Sequence, residues 1–222
     1  MAAGLVVVGV LVAGGVVADG VARSSAEARL ATTISAELPG TEPTVRIAGT
    51  PFLTQVLAGR LAHVEVSAPA AELGGLALRG VLVQLDGVST DQPTTAQQMT
   101  LTATVQPADL QEVLGLDVEL SIDDGLLVAS VDVLGVPIDI ALEPRADGRS
   151  IAVDVASLSF GGLRVDVEDL PSALAGQLTD LVVPVEDLPE GISLTDVVVA
   201  PDGVHLTASG TDVVLDALRV AP

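Results

Sequence analysis

The sequence predicts an α+β fold: a long, curved antiparallel β-sheet wrapped around or covered by a few helices, with an N-terminal membrane segment ahead of it. Three observations predict this. Segments along most of the chain alternate apolar and polar residues with period two, the pattern of strands buried on one face and wetted on the other. Asp124-Gly125, Asp147-Gly148 and Asp202-Gly203 stand between such segments, and Asp-Gly favours the tight turns of β-hairpins. Residues 2–18 carry no charge, hydroxyl or amide, and the first ionised side chain is Asp19.

The elements follow in chain order. As a helix, the run 2–18 spans roughly 25 Å, just short of a bilayer's hydrocarbon core. No basic n-region precedes it, and the first arginine, Arg23, lies beyond it. The positive-inside rule taken alone would leave the rest of the chain cytoplasmic. A basic leader upstream of Met1 would reconcile the run with export. No Cys follows the run, so it is not a lipoprotein signal, and no convincing A-x-A site closes it. An uncleaved signal anchor is the favoured reading, with a cleaved signal peptide and a buried helix as alternatives. Residues 24–38 read as a helix: Ser24 and Glu27 have capping-box spacing, and Leu30, Ile34 and Leu38 share a face before Pro39-Gly40 stops it. A second, short helix opens at Thr50-Pro51, with Thr50 as cap and Pro51 at the first helical position, and ends at Gly59. Phe52, Leu53, Val56 and Leu57 share its apolar face. Residues 107–114, closed by Gly115, repeat the design with Leu110, Val113 and Leu114. A fourth helix is expected over 171–181, with Leu174, Leu178 and Leu181 aligned. Period-two strands are expected around Leu101–Val105, Val118–Ile122, Ile138–Leu142, Ile151–Val155, Leu163–Val167 and Val204–Ala208.

Composition bounds the function. Of 222 residues, about 20 belong to the N-terminal segment, which leaves one ordinary domain. The division is 1–18 as signal anchor or signal peptide and 19–222 as a single domain. Cysteine is absent, which removes disulfides, thiolate metal sites and a Cys nucleophile. All nine basic residues are Arg, neither Lys nor Asn occurs, and Phe52 and Phe160 are the only aromatics. GC-rich coding produces such a bias, and halophilic adaptation is the alternative source of the acidity. The net charge of −21 repels phosphate backbones, so nucleic acid is not an expected partner. Contact with lipid must then come through the anchor or through apolar burial rather than a basic patch.

Catalytic chemistry is hard to find. His63 and His205 are the only histidines, each expected on the polar face of a strand, and His63 has no recognisable partner. No H-E-x-x-H, G-x-S-x-G, G-x-G-x-x-G or P-loop pattern occurs. Asp123-Asp124 and the group Asp166, Glu168 and Asp169 could in principle bind Ca²⁺ or hydrolyse glycosides, but a chain with 30 acids produces such pairs by chance. Solvated turns are the simpler reading, so no enzyme, metal or cofactor is expected. The apolar sheet face is either an ordinary aliphatic core or, with so few aromatics to fill it, the lining of a lipid cavity.

The stretch from Gly49 to Arg60, GTPFLTQVLAGR, followed by Val64-Glu65-Val66, resembles the signature of the LmeA-like phospholipid-binding family of actinobacterial cell envelopes. The AEARLA helix around Glu27, the Leu170-Pro171 helix running into Leu188-Pro189-Glu190-Gly191-Ile192, and the closing Asp202-Gly203-Val204 hairpin with Gly210 resemble it too. The resemblance implies a tubular-lipid-binding-like sheet wrapped on helix, holding phospholipid or glycolipid in an elongated apolar cavity on the extracytoplasmic side of the membrane. It also implies a part in envelope glycolipid assembly. The candidate lipid contacts are Phe52, Leu53, Val56, Leu57, Val64 and Val66. The alternative is a non-catalytic structural or adhesive envelope domain with a fully packed core. The lack of a basic leader and the strong acidity depart from the family pattern.

Overall fold

The structure is a computed structural model that describes residues 2–38, 40–73, 76–114, 118–133, 135–169, 181–184, 188 and 191–215, with the backbone alone for 2–17 and at a few other positions. Among these residues there are twelve strands and three α-helices, and every strand pairing is antiparallel. The α+β class therefore holds. The strands form two sheets rather than one. The first has the order β1 (Thr44–Ala48), β2 (Arg60–Leu73), β3 (Leu76–Ser89), β4 (Thr95–Val105), β12 (Gly203–Val214), β11 (Ile192–Ala200). The second has the order β10 (Leu181–Pro184), β8 (Ser150–Phe160), β7 (Val136–Asp147), β6 (Leu126–Val133), β5 (Glu119–Asp123), with β9 (Leu163–Asp166) also paired to β8. At 14 residues each, β2 and β3 reach roughly 45 Å, long for strands.

All three Asp-Gly turns fall where the sequence puts them, between β5 and β6, β7 and β8, and β11 and β12. Asp124 and Gly125 both take positive φ, +50° and +76°, as a primed hairpin turn demands. The sheets join at one of these turns. The amide of Leu194 on β11 donates to the Gly148 carbonyl over 2.7 Å. The Arg149 guanidinium donates to the Ile192 carbonyl at 3.2 Å and also to that of Leu188. Their apolar faces share a core, in which Leu120, Leu127 and Ala129 of the second sheet cluster with Val197 and Val204 of the first.

The helices differ from expectation in instructive ways. Helix α1 is one continuous element, Ala2–Glu37, and does not restart at Ser24. No proline interrupts it, so the capping box is unused: the Ser24 hydroxyl donates back to the Gly20 carbonyl at 3.0 Å. Glu27 instead accepts from the Ile47 amide at 2.8 Å, which covers a donor on the edge strand β1. The packed stripe of α1 is Ala22, Ala26, Ala31 and Ile34, whose small side chains let the helix lie close to the sheet, while Leu30 is 41% exposed. Helix α2 is Phe52–Leu57, with Pro51 as its N-cap residue in extended conformation and no side-chain cap from Thr50. Helix α3 is Pro107–Leu114, as the sequence predicts, and Leu110 packs against the core between the sheets. The fourth expected helix, 171–181, lies outside the described residues apart from Leu181, which is in β10. Among the described residues no helix is long and apolar enough to cross a membrane.

Candidate functional site

The stretch 49–60 folds around four residues. Gly49 has φ +94°, a left-handed backbone that favours glycine, and a Cβ there would displace the Gln55 side-chain nitrogen 2.6 Å away. Gln55 braces α2 to both neighbouring strands, donating to the Ala48 carbonyl at 3.2 Å and accepting from the Ala62 amide at 2.8 Å. Phe52 is 6% exposed and belongs to the cluster of Val45, Ile47, Leu61, Val64, Leu85, Val88 and Met99. Gly59, with φ +72°, ends the helix.

The cap of α2 comes from far away in the chain. Asp19 on α1 accepts from the amides of Phe52 at 2.9 Å and Leu53 at 2.8 Å, satisfying donors that the helix's own first turn cannot pair. The Leu53 and Phe52 amides, in that order, and then Arg23 hold the Asp19 carboxyl below its ordinary range, against the opposing effect of burial. Arg23 also donates to the Gly49 carbonyl at 2.8 Å, so one turn of α1 grips both ends of the 49–53 corner.

The six candidate contacts do not form one surface. Phe52 and Val64 are in the packed core. Leu53, Val56 and Leu57 are 42%, 40% and 89% exposed on the outer side of α2. Val66 is half-buried on the inner face of the first sheet. There the strand registers build two neighbouring cross-strand rows. One row runs Ile47, Val64, Leu85, Met99, Gly210, Ile192, and all its side chains are buried. The next runs Val45, Val66, Val83, Leu101, Ala208, Leu194. Its two ends are buried, but Val66, Val83 and Leu101 in the middle are only half-buried. Leu206 on β12, Leu110 on α3, and Ile140 and Leu142 on β7 are half-buried aliphatic residues in the adjoining clusters. Val83 and Leu101 escaped the sequence reading because nothing in a Val/Leu alternation says which inward residues stay uncovered.

Two concavities accompany this. One of about 300 Å³ lies at the foot of α2, lined by Thr50, Pro51, Thr54, Gln55, Ala58, Arg60 and Ala62. The other, about 400 Å³, sits over the β3 bulge and is lined by Gly80, Thr102, Ala103, Thr104, His205, Leu206 and Thr207.

The polar groups offer little chemistry. His63 does have a partner: its Nδ1 lies 2.8 Å from Asp86 Oδ1, directly across the β2–β3 pair. His205 Nε2 lies 2.9 Å from Asp202 Oδ1, and that contact, together with Asp202's own backbone amide, lowers the Asp202 carboxyl's pKa. Among the described residues neither imidazole has a hydroxyl nucleophile in hydrogen-bond contact. No group of three or more His, Asp or Glu among them is placed to hold a metal ion.

The family model of LmeA-like phospholipid-binding proteins matches residues 17–209, which takes in α1 from Val17, all of α2, the second sheet, and the first sheet up to Ser209 in β12. No curated protein and no solved structure matches the chain.

Proposed function

The chain belongs to the LmeA-like phospholipid-binding family, a lipid-binding family rather than an enzyme family, and on that premise we propose that it is a non-catalytic phospholipid-binding protein of the cell envelope. In this reading the run 2–18 is its membrane anchor and the domain lies on the extracytoplasmic side, where it serves envelope glycolipid assembly. Acyl chains lie along the inner face of the first sheet, over Val66, Val83 and Leu101, in a tubular-lipid-binding-like arrangement. The observation that carries this is the uneven burial of two adjacent rows. Close-packed interiors leave few aliphatic side chains partly uncovered in mid-sheet. A row buried at both ends and only half-buried in the middle offers apolar surface to a ligand, and purely aliphatic linings suit acyl chains.

The test is mass spectrometry of lipid carried by protein purified from its own membranes in mild detergent, for wild type and Leu101→Trp. The tryptophan fills the open stretch of the row without entering the packed one. Wild type should carry phospholipid, and the variant should fold yet carry much less. Lipid-free wild type, or a folded variant with undiminished lipid, overturns the assignment to this row.

A further inference from the structure

In the stretch 49–60, Gly49, Phe52, Gln55 and Gly59 hold the local fold, while three large apolar residues are exposed. Leu53, Val56 and Leu57 face outward from α2, and Leu57 is 89% exposed. Val21, two residues past Asp19 on α1, is 63% exposed. We propose that the outer face of α2 is a bilayer-docking surface that seats in the interfacial layer of a phospholipid membrane, next to the point where α1 leaves it. The inference rests on the preceding reading of 2–18 as a membrane anchor.

Position is the first argument. Asp19 is the residue at which the uncharged run ends, and it is hydrogen-bonded to the first two amides of α2. Helix α1 is unbroken across that point, so its backbone carries the run straight into the clamp. Lipid that surrounds the run up to Ala18 therefore ends within roughly one helix diameter of α2. A short helix with an apolar outer face held at that level lies at the membrane surface, as interfacial helices do.

Charge is the second. Thirty acids are spread through the chain, yet none lies between Glu42 and Glu65, the longest acid-free interval in the sequence. Arg46 and Arg60 fall within it and are exposed, and they make no ion pair among the described residues. The helix α2 itself thus carries no acid, and the carboxylates nearest it are Asp19, engaged by its first two amides, and Asp91, beside Gly59 at its end.

The experiment exploits the absence of cysteine. The full chain is reconstituted in phosphatidylcholine–phosphatidylglycerol vesicles with an environment-sensitive nitrobenzoxadiazole label on Leu57→Cys or, as control, on the exposed Ser121→Cys of the second sheet. Both sites are on the surface, so neither substitution disturbs the core. The label at 57 should shift to the blue, brighten about threefold or more and be quenched by nitroxide lipids bearing the spin label high on the acyl chain, as interfacial burial requires. The label at 121 should stay aqueous. A label at 57 that iodide quenches as freely as at 121, or that loses its shift only when the protein is stripped of bound lipid, overturns docking. So does disulfide cross-linking between two copies of the unlabelled Leu57→Cys protein in place of lipid quenching. Flotation of the same vesicles reads the anchor separately: protein that floats with an aqueous position 57 refutes docking and leaves the anchor standing. Leu101→Trp protein that keeps its full lipid cargo while position 57 is quenched refutes the groove and leaves docking standing.

Discussion

Replacing Phe52 by alanine separates core from site on this small helix. Phe52 is 6% exposed and sits in a cluster with Val45, Ile47, Leu61, Val64, Leu85 and Val88. A phenylalanine so enclosed costs about 3–5 kcal/mol when truncated, from lost transfer free energy plus the cavity left behind. For a domain of this size each kcal/mol lowers the melting temperature by roughly 2–4 °C, so the expected loss is about 6–20 °C. The helix α2 has six residues and cannot hold itself together, so the loss should also loosen the 49–60 corner. Thermal melting of delipidated wild type and Phe52→Ala by circular dichroism gives the first number. A fluorescent-phospholipid titration, normalised to folded protein, gives the second. The structure calls for a large melting shift and unchanged affinity per folded molecule. A shift of less than about 1 kcal/mol with a fall in affinity would refute the reasoning and put Phe52 against lipid.

Two further predictions concern single side chains. Asp19→Ala should speed amide hydrogen exchange at Phe52 and Leu53, and acid should imitate it: because folding lowers this carboxyl's pKa, its contribution is complete above the ordinary carboxylate range and fades as the pH drops through the lower folded value. Asp19→Asn, which still offers an acceptor, should keep part of the protection and lose the pH dependence, and an unaltered acid profile in that variant would show that Asp19 is not the titrating group. His63→Ala and His205→Ala, alone and together, should leave lipid uptake and in-cell function unchanged, since each imidazole touches one surface carboxylate and no nucleophile; loss of function in a stably folded double variant would reopen catalysis.

What the sequence makes legible is what local chemistry decides. Asp-Gly turns, the alternation in β4, β5, β7, β8 and β12, and the bounds of α3 follow from residues within a few positions of one another. The strand β3 is harder to read because Gly80 and Gly87 interrupt it and a bulge between Arg79 and Leu82 shifts its inward face by one residue. The division into two sheets is hidden for a different reason. β4 pairs with β12, so the first sheet is completed only by the end of the chain, and no local pattern announces such a pairing. The α2 cap is hidden in the same way. Asp19 reads as the end of an apolar run, and its partners are more than thirty residues away. The apolar face of α2 was legible as a set of residues, but not its division between core and surface, which depends on where α1 lies.

The same division between packed and open surface runs through the sheet, and it would let the protein bind lipid and remain folded. Val64 and Val66 are on the same face of β2, about 7 Å apart along the strand. The first is 5% exposed and the second half-buried. The fully packed row, with Phe52 over it and α1 alongside, supplies stability that does not depend on a ligand. The open row beside it holds apolar surface that costs only partial hydration when empty. Binding along the second row then requires no rupture of the first, and a lipid could enter and leave without a folding transition. The clamp at Asp19 holds α2, whose Phe52 belongs to the packed cluster. A variant that releases the clamp should therefore alter lipid exchange rates more than it alters the amount of lipid bound at saturation, a difference that stopped-flow transfer from labelled vesicles to protein resolves. Equal losses in rate and capacity for Asp19→Ala would mean that the two rows are not independent.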